Sequence, residues 1–112
     1  MIYLDYNATT PCAPEVVEAM QPYFGTVFGN PSSLHPFGAA AEKAVRRAAE
    51  QVAKLICAEP EQILFTGSAT ESNNHAIRNA PPGELLLTTA EHASLYEPAR
   101  LRGSVRLVPP CP

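Results

Sequence analysis

No apolar run in the chain approaches the roughly 20 residues that a membrane-spanning helix requires, which excludes a helical span within this sequence. No basic cluster opens the sequence; Asp5 stands there instead, and the start does not read as a signal peptide. Positive charge is thin throughout, with 8 Lys and Arg against 11 Asp and Glu and a formal net charge of -3. That balance gives no grip on nucleic acid or on an anionic membrane. Cysteine is scarce. Cys12, Cys57 and Cys111 are odd in number and far apart, which matches neither a metal-ligand spacing nor a disulfide framework, so no metal site is expected. They read as free thiols of a reducing compartment, and the expected location is cytoplasmic. No internal repeat is present.

Apolar residues are present in ordinary amount, at 46%, which argues against disorder throughout. The 112 residues bound the chain to one domain at most. Met1 to Pro11 reads as an extended arm, with Ile2 and Leu4 alternating against Tyr3 and Asp5 in a strand-like pattern. Pro14 to Phe24 reads as a first helix, with Pro14 at its first position and an apolar face of Val16, Val17, Met20, Tyr23 and Phe24. Ala13 precedes it and has no side-chain acceptor, so this start should be weaker by about 1 kcal/mol. Gly25 to Pro36 is a loop, and its only ionisable group is His35, expected to be solvated or satisfied by backbone.

Phe37 to Cys57 is the clearest helix. Ala41, Val45, Ala48, Val52 and Leu55 recur at helical spacing and form the face expected to turn inward. Both lysines of the chain, Lys43 and Lys54, lie off that stripe and read as surface cations. Cys57 reads as packing. Proline at position 60 closes the helix. Ile63–Phe65 reads as a strand, Thr70–Arg78 as a helix and Leu85–Thr88 as a second strand, together a parallel βαβ unit. Ser94–Leu101 reads as a short helix that Pro98 interrupts or confines, and Val105–Val108 as a third strand candidate before Pro109, Pro110 and Pro112.

The chemistry concentrates in Phe65-Thr66-Gly67-Ser68-Ala69-Thr70-Glu71-Ser72-Asn73-Asn74. An apolar run feeds small residues, and Ser68 and Glu71 have the spacing of a capping box. The first turn of a helix has free N–H groups and the positive end of the dipole, so such a turn receives anions. From the residues alone, an ordinary capped turn is the better-supported reading.

The same stretch resembles the phosphate cradle of the cysteine desulfurases, class V aminotransferases that use pyridoxal 5'-phosphate. Tyr3-Leu4-Asp5-Tyr6-Asn7-Ala8-Thr9-Thr10-Pro11 resembles the family's opening segment, and Gly29-Asn30-Pro31-Ser32-Ser33-Leu34-His35 the loop after its first helix. Glu91-His92 resembles the acid–histidine pair whose imidazole lies on the cofactor ring. The family usually has Ser-Gly where this chain has Gly67-Ser68, which strains Ser68 if the position requires a positive φ.

The resemblance implies an α/β fold: the N-terminal part of the pyridoxal phosphate-dependent transferase (aspartate aminotransferase-like) large domain. Its incomplete sheet is flanked by helices and has at least one open edge. Residues 1–36 would be the arm, first helix and loop, and residues 37–112 the start of the large domain. Ala69 and Thr70 would hold the phosphate, and His92 would stack on the ring and serve as the catalytic proton-handling group. The implied reaction removes sulfur from L-cysteine as an enzyme-bound persulfide and releases L-alanine, for iron–sulfur cluster or other sulfur-transfer pathways. A homodimer and an iron–sulfur scaffold or other sulfur-acceptor protein are the implied partners, with no nucleic acid and no membrane. The family's pyridine-facing aspartate, Schiff-base lysine and persulfide cysteine have no match here, so the chain is expected to be inactive alone. Selenocysteine lyase, another class V enzyme, and a non-catalytic module pairing with a full-length subunit are the alternatives.

Overall fold

The computed structural model describes residues 2–110; Met1, Cys111 and Pro112, on which the arm, one thiol and the last proline stop partly rest, lie outside the described residues. The chain divides into two compact units, one ending at Leu64 and the other beginning at Phe65.

In the first unit the arm forms no strand. The Asp5 carbonyl accepts from the amides of Ala8 at 3.1 Å and Thr9 at 3.4 Å, which turns the chain. The Tyr3 hydroxyl also donates to the Asp5 carbonyl, at 2.9 Å. Alternation makes a strand only where another strand pairs with it, and Ile2 and Leu4 remain exposed. Helix α1 covers Pro14–Met20 and then tightens into a 3-10 turn, Gln21–Phe24, at Pro22. Its start at Ala13 has no side-chain cap, as expected.

Helix α2 spans Pro36–Ile56. Its start is fixed by His35, whose Nδ1 accepts from the Gly38 amide at 3.2 Å. Backbone satisfaction of His35, the ordinary reading, is what the structure has. The residues before α2 press directly on its first turn. A Cβ on Gly38 would lie 2.1 Å from the Ser33 carbonyl oxygen, and one on Gly29, where φ is +146°, 2.5 Å from the Phe37 carbonyl oxygen. Only glycine fits at either place.

The inward face of α2 differs from the expected one. Ala53 is 1% exposed and Ala49 is also buried, whereas Val45 and Leu55 are 48% and 83% exposed. The small residues permit close approach, and the bulkier apolar stripe beside them stays open. Cys57 ends the helix in the left-handed region, φ 55°, and is exposed rather than packed, because the helix terminus turns the chain at that residue. A 3-10 turn follows, Pro60–Gln62.

Ile63–Phe65 is not a strand. Ile63 is extended, φ -92° and ψ 120°, but this run joins no sheet among the described residues. The expected βαβ unit built on it is therefore replaced by a later one. In the second unit α3 covers Ala69–Asn79, β1 Leu85–Thr88, α4 Ala93–Arg102 and β2 Val105–Val108. The strands pair in parallel with Leu85 opposite Val105 and Thr88 opposite Val108, so β1-α4-β2 is the crossover. With two strands, each has one unpaired edge among the described residues. Helix α4 continues past Pro98 to Arg102 and is neither stopped nor confined; the missing N–H leaves the Ser94 carbonyl without its helical donor.

Helices α3 and α4 pack on each other around Ile77 and Ala99, the latter 0% exposed. They are tied at both ends. Asn73 Nδ2 donates to Ser94 Oγ at 2.8 Å near their starts. At the far end Arg102 donates to the carbonyls of Ile77 at 2.9 Å and Ala80 at 2.8 Å, and also to that of Pro81. The two helices thus run side by side in the same direction. No helix among the described residues is long and apolar enough to cross a membrane.

Candidate functional site

The turn before α3 is built as the sequence suggests, with one displaced contact. Ser68 is the N-cap, and its Oγ accepts from the Glu71 amide at 3.2 Å. The Glu71 carboxylate does not close the box on Ser68; it reaches one residue further and accepts from the Gly67 amide at 2.8 Å. Thr66 Oγ1 lies 2.6 Å from Ser72 Oγ, which pins the incoming chain to the helix. Ser68 has φ -166° and ψ 160°, extended backbone open to any residue. The Gly67-Ser68 order therefore carries no strain, and Ser68 contributes the cap that a glycine would lack.

This arrangement leaves the amides of Ala69 and Thr70 and the Thr70 hydroxyl as donors with no acceptor among the described residues. They stand in the first turn of an 11-residue helix, exposed, where the backbone dipole favours an anion. These donors fit a phosphate. The charge on Glu71 opposes such an anion, so affinity falls to the hydrogen bonds and the helix end.

His92 is the N-cap of α4. It follows a bend at the end of β1, where Thr88 Oγ1 donates to Glu91 Oε1 at 2.9 Å. Glu91 is thereby turned back against the strand, while the His92 ring is exposed. Its Nδ1 accepts from the Ser94 amide at 3.1 Å and lies 2.9 Å from Ser94 Oγ. Because Asn73 bonds the same Oγ, Ala69 and Thr70 of α3 and His92 of α4 all sit at the shared N-terminal end of the helix pair. A flat, exposed ring beside a phosphate-competent helix start suits a phosphorylated aromatic ligand.

Several groups at this end were not legible in the sequence. Ser94 and Asn73 lie 21 residues apart, and no spacing rule joins them. At the far end of the pair the Arg102 guanidinium serves the end of α3, 25 residues back in the sequence. Lys43 and Lys54 are exposed on α2, as expected. A shallow depression of about 340 Å³ lies between Thr88, Glu91, Tyr96 and Leu107 and includes none of Ala69, Thr70 and His92. Among the described residues no three His, Cys, Asp or Glu side chains are arranged to hold a metal ion.

The chain is 46% identical over 106 residues to cysteine desulfurase IscS of Rickettsia akari, covering 88% of this chain and 26% of the relative. The protein of the same name from Dictyoglomus turgidum is 45% identical over 103 residues, covering 87% of this chain and 26% of its own. A solved NifS-like protein superposes with a TM-score of 0.77 at 34% identity, covering 92% of this chain and 31% of that one. The chain thus spans about a quarter of the length of the curated relatives it matches. The fold is that of the N-terminal part of an aminotransferase-like protein, as the sequence resemblance implies. The aminotransferase class-V model matches residues 2–105, nearly the whole of what has been described, and the chain belongs to that family.

Proposed function

We propose that residues 1–112 are the N-terminal segment of a pyridoxal phosphate-dependent cysteine desulfurase, which takes sulfur from L-cysteine as an enzyme-bound persulfide and releases L-alanine. The observation that carries this reading is the shared end of α3 and α4, where donors without acceptors and an exposed imidazole stand together. Residues 1–36 are its arm, first helix and loop, and residues 37–112 the start of its large domain. A cytoplasmic homodimer delivering sulfur to an iron–sulfur scaffold or other acceptor protein completes the reading.

The amides of Ala69 and Thr70 and the Thr70 hydroxyl would hold the cofactor's phosphate. The bound pyridoxal ring supplies an electron sink for bonds at the substrate's α-carbon. His92 would stack on that ring, orient it, and handle a proton at its free nitrogen.

The test joins this chain, by fusion or co-expression, to the C-terminal part of a cysteine desulfurase and follows alanine release from cysteine. Thr70→Ala removes a charge-assisted donor of about 1.5–3 kcal/mol, so cofactor affinity should fall about ten-fold or more. His92→Ala should lower turnover by about 10²–10⁴ with a smaller loss of affinity. His92→Phe, which keeps a flat ring, should retain affinity and lose turnover. If the Ala variants match the parent in both quantities, the assignment is wrong.

A further inference from the structure

We propose that Ser94 and Asn73 are positioning residues for His92. Together they hold its imidazole as the tautomer protonated at Nε2 and keep that N–H as the ring's available edge. The proposal rests on the reading of His92 as the ring that meets the cofactor, and it concerns which nitrogen faces that task.

The argument begins at the backbone. The Ser94 amide donates to His92 Nδ1 at 3.1 Å. An amide N–H never accepts, so Nδ1 must present its lone pair, and the proton of the neutral ring resides on Nε2. The side chains reinforce this direction. Asn73 Nδ2 donates to Ser94 Oγ at 2.8 Å, which makes that oxygen an acceptor on one side. Its own hydrogen is then available for Nδ1, 2.9 Å away. Donation runs one way, from the Asn73 amide through the Ser94 hydroxyl to the ring, and each bond polarises the next. Among the described residues nothing bonds Nε2.

The chain contains its own controls. His35 is also a helix N-cap, and its Nδ1 accepts a backbone amide, that of Gly38 at 3.2 Å. No hydroxyl stands behind it among the described residues, so it has the backbone bond without the relay. His75 is exposed, and its ring makes no hydrogen bond among the described residues. Ser94 and Asn73 are half-buried and belong to different helices, so the relay exists only while α3 and α4 pack. A conformational event that slides one helix would release the ring.

The experiment labels histidine with ¹⁵N in the 112-residue chain, without cofactor, and reads ring tautomers from long-range ¹H–¹⁵N correlations under conditions where the rings are neutral. His92 should show the Nε2–H pattern, His35, with the backbone bond alone, a smaller bias toward it, and His75 a mixture. Ser94→Ala leaves only the backbone donor, so it should move His92 toward the His35 pattern and leave His35 unchanged. Asn73→Asp turns the donor into an acceptor for the Ser94 hydroxyl, so Ser94 Oγ presents a lone pair to the ring and His92 should shift toward Nδ1–H. Ser94→Thr keeps the hydroxyl and should keep the parent pattern, which decides the matter if Ser94→Ala does not fold. The proposal is overturned if His92 is indistinguishable from His75 in the parent, or if neither Ser94→Ala nor Asn73→Asp moves it. Because no cofactor is present, an intact relay with failed cofactor binding would sink the desulfurase reading and leave this one standing.

Discussion

From Phe65 onward, contacts reach across the sequence: Asn73 to Ser94, Arg102 to Ile77 and Ala80, β1 to β2. Up to Leu64 the contacts are mostly local, within a helix, a turn or the loop that enters the next helix. The first unit nevertheless contains the longest helix and the strongest helical periodicity. Periodicity says which faces seek cover; it does not supply the cover. In the second unit two helices cover each other and place Ile77 and Ala99 between them. In the first, Val45, Val52 and Leu55 of α2 and the apolar side chains of α1 stay exposed. The unit with the weaker sequence signal is the one that builds the candidate site, because polar side chains at helix ends fix its geometry.

That contrast can be broken most severely at Arg102. Arg102→Ala leaves carbonyls at the end of α3 without partners, and should cost about 2–3 kcal/mol, since bonds to a half-buried charge are the strong ones. Hydrogen exchange of amides in α3 and α4 should accelerate while those of α2 do not change. Acceleration spread evenly over both units would mean that they are not distinct. Next comes Gly38→Ala, which drives a Cβ into the Ser33 carbonyl and should destabilise the entry to α2 by about 1–3 kcal/mol. Here the exchange response should be confined to residues before and within the first turns of α2; a silent variant would refute the close approach. The smallest effect is a gain. Ala13→Asp supplies the missing acceptor at the start of α1 and should add about 1 kcal/mol to that helix. Circular dichroism should register more helix, and no change would show that α1 is limited by its uncovered face instead.

Helix existence was legible because local signals and final structure agree: Pro14 and Ser68 mark starts, and the helical spacing holds through α2. The strands Leu85–Thr88 and Val105–Val108 were legible for the same reason. Ile63–Phe65 was misread because a short apolar run shows only that the chain is extended, whereas a strand also needs a paired neighbour. The inward face of α2 departs from the expected one because alanines pack closer than the bulkier stripe beside them. In the site, Ser68 and its bond to Glu71 were readable from spacing, as was the helix start that offers Ala69 and Thr70. The relay behind His92 was not, because Asn73 and Ser94 meet only through tertiary packing.

Arg102 carries one more consequence. Proteases that cut after arginine must draw the guanidinium into a pocket containing a carboxylate. Here that guanidinium is already bound to the last carbonyls of α3, and the bond to Gly103 follows immediately after it. Arg100, two residues earlier, pairs with Glu97 at the surface. Cleavage at Arg102 therefore has to wait for the helix pair to part, so one scissile bond acts as a clock for that opening. The same side chain that closes the end of α3 also shields the exit of α4 from being cut.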